Sequence, residues 1–459
     1  MADIDVDVLV IGWGKGGKTL AGALGRNGRS VALVEQSNAM YGGSCINIAC
    51  IPTKDLVHSA SQRRPEDDPQ AWFTAAVAGR DALTEKLRAR NHAMLAEVDT
   101  VTLIDGRARF TGAHDVQVTA GDDTLTMHAE TIIINTGTAP AEPRFPVDGS
   151  RAFDSTTIQH VDPLPERLVI VGGGYVGLEF AGMFSKFGSR VTIIDHGDTF
   201  MRNEDRDVAD AARSLLEESG VQLILGGDVR SIRDESGTTT VELAVGGGAR
   251  TLETDAVLVA VGRHPVTAEL GLDTAGVAVD ERGYVVVDDR LRTSVPHIFA
   301  VGDVNGGPQF TYISLDDNRI VMDQLNGSGA RTTDDRTAVP YTVFLTPPLG
   351  RVGMNEAQAR ASGRRVLVAS KAIIDIAAMP RPKIVGETHG LIKVLIDADT
   401  DLILGAVVFS IDAQEVINLI ALAMRHDVTA TELRDSIWTH PSSTEALNEV
   451  LAAPRPLEA

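Results

Sequence analysis

Two short apolar-rich runs, Val6 to Ile11 and Arg167 to Val171, each stop at a glycine-rich stretch, and each predicts a buried strand of a parallel sheet. Behind the first, Gly12-x-Gly14-x-x-Gly17 opens a helix, and a further run from Ser30 to Val34 ends in Glu35. Behind the second, Gly172-x-Gly174-x-x-Gly177 does the same, and Arg190 to Ile194 ends in Asp195. Each acid stands 23 positions after the first glycine of its stretch. Strand, glycines, helix, strand and terminal acid in this order form a dinucleotide-binding unit. Glycines let the backbone approach a pyrophosphate, the helix N-terminus offers partial positive charge, and the acid accepts hydrogen bonds from a ribose. Two such units predict two nucleotides.

The chain between and beyond them extends the pattern. Gly106 to Phe110 and Ile132 to Gly137 close the first unit, and Ile298 to Asp303 reads as a strand that returns to it. Past residue 335, strand-like runs (Leu391 to Ile396, Leu402 to Val408) alternate with helical ones (Glu415 to Met424, Glu445 to Leu451), with no further fingerprint. Low-complexity segments and long linkers are absent apart from the polar stretch Ala60 to Gln70 and a glycine-rich turn at Gly246 to Gly248. The expected fold class is α/β, with two Rossmann-like, doubly wound domains and a C-terminal α+β domain. Its divisions are 1–144, 145–264, a return segment 265–334, a C-terminal domain 335–453 and a flexible tail 454–459.

Composition narrows the partners. The 459 residues are too many for one hydrophobic core, and the 43% apolar content is that of a globular protein. A formal charge of −21 argues against nucleic acid and anionic membranes. No apolar run is long enough for a membrane helix, and Met1-Ala2-Asp3-Ile4-Asp5 has no basic export region, which implies a cytoplasmic protein.

The two cysteines, Cys45 and Cys50, stand five apart just after the first unit. On a regular helix their Cα atoms would be about 8 to 9 Å apart, beyond the ~7 Å limit for a disulfide. The segment must therefore be locally irregular if they bond, and Gly42, Gly43 and Pro52 supply suitable punctuation. Paired cysteines beside such a unit point to redox or metal chemistry.

The stretch Gly42-Gly43-Ser44-Cys45-Ile46-Asn47-Ile48-Ala49-Cys50-Ile51-Pro52-Thr53-Lys54 resembles the redox site of the class I pyridine nucleotide-disulfide oxidoreductases. These FAD enzymes include glutathione reductase, lipoamide dehydrogenase and mercuric reductase. The resemblance runs over nearly the whole chain. It implies that Cys45 and Cys50 form a redox-active disulfide, with Cys50 the thiol nearer the flavin and Cys45 the thiol that meets substrate. FAD falls to the first unit, with Gly43, Ser44, Ala108, Gly137 and Asp303 as further contacts. The nicotinamide nucleotide falls to the second, with Tyr175 covering the flavin until nicotinamide displaces it and Gly262 as another contact. Asp195 favours NADH by repelling the 2′-phosphate of NADPH, although Arg202 is close enough in sequence to assist a phosphate. Lys54 and Glu179 correspond to an ion pair beside the flavin.

The same resemblance makes 335–453 a dimerisation domain of a homodimer. Thr439-His440-Pro441-Ser442-Ser443-Thr444-Glu445 matches a motif whose histidine serves the partner's disulfide as acid and base, with the glutamate orienting its ring. Ala49 occupies a position where the family usually has glycine, and its methyl requires φ below zero. Within the family, Gln309 to Asp317 and Tyr341 to Pro348 are most similar to bacterial reactive-chlorine-resistance flavoproteins. That implies reduction of a small oxidant such as hypothiocyanous acid, or of Cu(II), in oxidative-stress defence. A C-terminal cysteine pair, expected of a mercuric reductase, is absent, while Tyr312 matches a tyrosine of those enzymes. A lipoamide dehydrogenase and a non-catalytic copper-binding flavoprotein are the alternatives.

Overall fold

The computed structural model describes residues 2–235 and 238–458. Its first sheet has the strand order Val101–Asp105, Val31–Glu35, Ala2–Ile11, Asp123–Ile134, Asp115–Ala120, Arg107–Phe110. Ala2–Ile11 pairs in parallel with both neighbours, Val8 opposite Val31 and Ile11 opposite Ile134. Val8, Leu9 and Val10 are fully buried, as the continuous apolar run requires of a sheet covered on both faces. Ile298–Ala300 then joins in parallel on Asp123–Ile134, so the chain leaves this sheet and comes back to it. Helix Lys15–Arg26 packs against helix Thr311–Asn326 so closely that a side chain at Gly16 would strike the Ser314 carbonyl oxygen.

A second, all-parallel sheet has the order Gln222–Ile224, Arg190–Ile194, Arg167–Val171, Ala256–Val259, Ala152–Phe153. A four-stranded ribbon of Val147–Asp148, Asp228–Glu235, Thr238–Val245 and Gly248–Thr254 flanks it. Gly246 and Gly247, both at positive φ, make the expected turn between its last two strands. The short antiparallel pair Thr138–Pro140 and Arg263–Pro265 ties the two sheets' connections together.

The C-terminal sheet has the order Tyr341–Val343, Leu349–Gly353, Ile403–Phe409, Leu391–Asp397, Val366–Ala372, Arg455–Pro456, with helix Ala413–Arg425 packed on it. Of the expected flexible tail 454–459, the described residues 454–458 are tied to the C-terminal sheet. Arg455–Pro456 pairs with Val366–Ala372 because Leu457 has an apolar site among Val366, Val368 and Leu395.

Helices Cys50–Gln62 and Pro69–Ala96 lie where the three sheets meet. Leu56, Ala60 and Phe73 share one core with Phe180 and Phe184 of helix Tyr175–Phe187 and with Val343, Leu349 and Phe409 of the C-terminal sheet. Asp68 caps the long helix by accepting from the Ala71 amide at 2.8 Å, with Pro69 in its first turn. Among the described residues no helix is long and apolar enough to cross a membrane.

Candidate active site

The glycines of the first fingerprint are where close backbone approach demands them. A side chain at Gly12, which has φ +97°, would sit 2.5 Å from the Asn135 carbonyl oxygen, and one at Gly43 would sit 2.8 Å from Gly14 Cα. Gly14, the N-cap of helix Lys15–Arg26, has no side chain to bond the first turn, and the Gly16 amide donates instead to Ser314 Oγ at 3.0 Å. Asn135 clamps the turn: its Oδ1 accepts from the Gly17 amide at 2.8 Å and its Nδ2 donates to the Val301 carbonyl at 2.6 Å. Sequence reasoning passed over this residue, although it follows the strand it had recognised.

Gly12, Gly14, Glu35, Gly43 and Ser44 line a cavity of about 1500 Å³ together with Ala108, Gly137 and Asp303. Cys45, Cys50, Lys54, Tyr175 and Glu179 stand on the same cavity. Burial pushes the Glu35 and Asp303 carboxyls above the ordinary range, and Glu35 accepts from the Trp13 amide at 3.0 Å. Open space beyond Gly137 Cα, the buried Glu35 and half-buried Asp303 carboxyls, and close-packed glycines at the start of a helix fit a dinucleotide. Gly17 lies behind the loop, where a side chain would meet Val10 and Asn135.

The cysteine segment breaks as the spacing requires. Ser44–Asn47 is one helical turn, Ile48 and Ala49 are irregular, and Cys50 begins the next helix. Ala49 has φ −126°, below zero as its methyl requires, but with ψ −101° it lies outside the regular β and α regions. Both cysteines are free thiols, close enough to share a hydrogen bond. The bond from Cys45 holds the Cys50 thiol below its ordinary range, with Thr311 and the Lys54 charge acting the same way against burial. Hydrogen bonding to Cys50, then burial, pushes Cys45 up. Thr311 Oγ1, within the Gln309 to Asp317 run, is 3.5 Å from Cys50 Sγ. Lys54 Nζ donates to Glu179 Oε2 at 2.6 Å, and Glu179 Oε1 accepts from the Phe344 amide at 2.9 Å.

Gly172, Gly174, Gly177, Asp195 and Gly262 do not line this cavity but stand just past strand ends of the second sheet and at the start of helix Tyr175–Phe187. Gly172 (φ +116°) runs against the Ala260 carbonyl, while Gly174 and Gly262 open onto free space. The Asp195 carboxylate folds back toward Gly173 and accepts from the Gly197 amide at 3.2 Å. His440 Nδ1 meets Glu445 Oε1 at 2.7 Å, with the His440 side chain 71% exposed and outside the cavity that holds the cysteines. Within one chain the structure does not bring His440 to Cys45.

Fold and site together define a flavoprotein disulfide reductase. The chain belongs to the pyridine nucleotide-disulfide oxidoreductases: that family's model matches residues 6–317, and the model of its dimerisation domain matches residues 339–451. It is 45% identical to the probable pyridine nucleotide-disulfide oxidoreductase RclA of Escherichia coli, over 97% of this chain and 98% of that protein. A mercuric reductase of Staphylococcus aureus is 31% identical over 97% of this chain and 82% of its own length. The solved Cu(II) complex of the HOCl-induced flavoprotein disulfide reductase RclA from E. coli superposes with a TM-score of 0.92 at 44% identity, covering 98% of this chain and 99% of that one. FAD and a nicotinamide nucleotide are the cofactors of this family.

Proposed function

We propose that the chain works as a homodimer that uses NADH to keep Cys45 and Cys50 reduced and spends the dithiol on a small oxidant, hypothiocyanous acid or Cu(II). The observation that carries this reading is the placement of the cysteine pair: Cys45 and Cys50 stand on one cavity with the Lys54–Glu179 ion pair, and Cys50 Sγ lies 3.5 Å from Thr311 Oγ1. Gly12, Gly14, Glu35, Gly43, Ser44, Ala108, Gly137 and Asp303 hold FAD, while Gly172, Gly174, Gly177, Asp195 and Gly262 hold the nicotinamide nucleotide. Bound FAD supplies the two-electron relay between nicotinamide and the cysteines. Glu179 fixes the Lys54 ammonium, whose charge favours electron-rich groups beside it.

His440 of the partner subunit takes the Cys45 proton, and Glu445 orients its imidazole. With hypothiocyanous acid, the Cys45 thiolate attacks the oxidant's sulfur and hydroxide leaves as water, taking the proton from the imidazolium. Cys50 thiolate then displaces thiocyanate and closes the disulfide, so two cysteine electrons reduce one oxidant. The E. coli relative's description as HOCl-induced and its Cu(II) complex support this substrate class. Mercury fits poorly, since the chain's only two cysteines are the pair itself. An exposed apolar residue three positions before His440, Ile437 at 99%, supports burial of this face by a second copy.

Steady-state assays of the holoenzyme with hypothiocyanite, Cu(II), Hg(II), oxidised glutathione and dihydrolipoamide with NAD+ test the reading side by side. The highest kcat/KM should fall to hypothiocyanite or Cu(II), and a clear preference for dihydrolipoamide or Hg(II) contradicts it. In the same assay NADH should exceed NADPH in kcat/KM, and Asp195→Ala should narrow the gap by raising the NADPH value. Equal efficiencies in the unaltered enzyme count against the role given to Asp195.

A further inference from the structure

Tyr175 begins helix Tyr175–Phe187 directly after Gly174, so it stands where the second fingerprint meets the cavity that holds Cys50, Lys54 and Glu179. Its hydroxyl is not free. It donates to Glu204 Oε1 at 3.2 Å, and the Tyr341 hydroxyl donates to the same oxygen at 2.6 Å. The two phenol oxygens are 3.2 Å apart, and the rings lie 5.6 Å centroid to centroid. Glu204 has a side-chain exposure of 0%, and its other oxygen accepts from Arg351 Nη1 at 2.5 Å. Glu204 precedes helix Arg206–Glu218 beside the second sheet, whereas Tyr341 and Arg351 belong to the C-terminal sheet. Three parts of the fold thus converge on one carboxylate.

We propose that Glu204 and Tyr341 are positioning residues that set how readily a nicotinamide enters the cavity, Glu204 latching Tyr175 at its mouth and Tyr341 allowing the latch to release. This rests on the reading of the second fingerprint as the nicotinamide nucleotide site. A ring at that junction must move for a nicotinamide to pass from the fingerprint to the cavity, and moving it breaks its bond to Glu204. A buried carboxylate oxygen left without a donor is costly. Here Tyr341 remains on that oxygen when Tyr175 leaves, so release strands no buried charge. The bond holds Tyr175 without making its departure prohibitive.

Calorimetric titration of the oxidised holoenzyme with NAD+, and separately with ADP-ribose, tests this without turnover. ADP-ribose occupies the fingerprint but has no nicotinamide to bring past Tyr175. Tyr175→Phe removes the latch and should tighten NAD+ by about tenfold or more, the order expected of one hydrogen bond to a charged group. Tyr341→Phe removes the group that satisfies Glu204 on release and should weaken NAD+ by a similar factor. Added to Tyr175→Phe, it should have no further effect on NAD+. ADP-ribose affinity should be the same in all four proteins. Unchanged NAD+ affinity in Tyr175→Phe, effects of the same sign in both single variants, or parallel changes in ADP-ribose overturn the latch. An unaltered enzyme that binds neither ligand overturns the reading of the second fingerprint and the latch with it.

Discussion

Replacing either cysteine by serine should lower NADH-driven reduction of the oxidant by more than about 1000-fold, because each supplies a sulfur that a hydroxyl cannot replace. The two variants should nonetheless look different. In Cys45→Ser, the Cys50 thiolate keeps Thr311 at 3.5 Å and the Lys54 charge, so holoenzyme should show long-wavelength thiolate-to-flavin absorption without any reductant. That band should fade as the pH falls and Cys50 protonates, and it fades at higher pH than the unaltered pair allows, because the variant lacks the Cys45 thiol that lowers Cys50 most. Cys50→Ser should lack it at every pH. Absorption spectra of the two purified variants check the assignment, and the reverse behaviour would exchange the roles of the two thiols.

His440→Ala should lose about 100-fold or more in turnover, the scale of a lost acid–base group, while retaining reduction by NADH. Inactive His440→Ala and inactive Cys45→Ser should then complement each other on mixing under subunit exchange. Each heterodimer has one intact site, pairing His440 of one chain with Cys45 of the other, so activity should return toward half that of the unaltered enzyme. The structure motivates the test: His440 and Glu445 are paired at 2.7 Å yet lie outside the cavity that holds Cys45. Verified exchange without recovery would place His440 in its own subunit's chemistry or in none.

Local chemistry was legible where short segments carry it. The two fingerprints, the strands ending at Glu35 and before Asp195, and the return at Ile298–Ala300 are each written in a few adjacent residues whose period and glycines leave little choice. The break between Cys45 and Cys50 followed from helix geometry alone, and the φ of Ala49 met the condition its methyl imposes. Helix Pro69–Ala96 went unrecognised, although Asp68-Pro69 is a helix-start signal. The Glu204–Tyr341–Arg351 cluster could not be read, since it joins positions far apart in sequence and separated by two sheets. The edge strand at Arg455–Pro456 was missed for a similar reason: its partner lies about ninety positions away, and a proline-rich terminus looks unstructured without it.

The central claim is that NADH reduces a disulfide made by Cys45 and Cys50. The chain's having no other cysteine makes this directly countable. Thiols are titrated in denaturant on air-oxidised holoenzyme, and again after anaerobic reduction with NADH and removal of excess nucleotide. The account predicts about zero thiols per chain before reduction and about two after. Two thiols before reduction, or none gained after it, would contradict it.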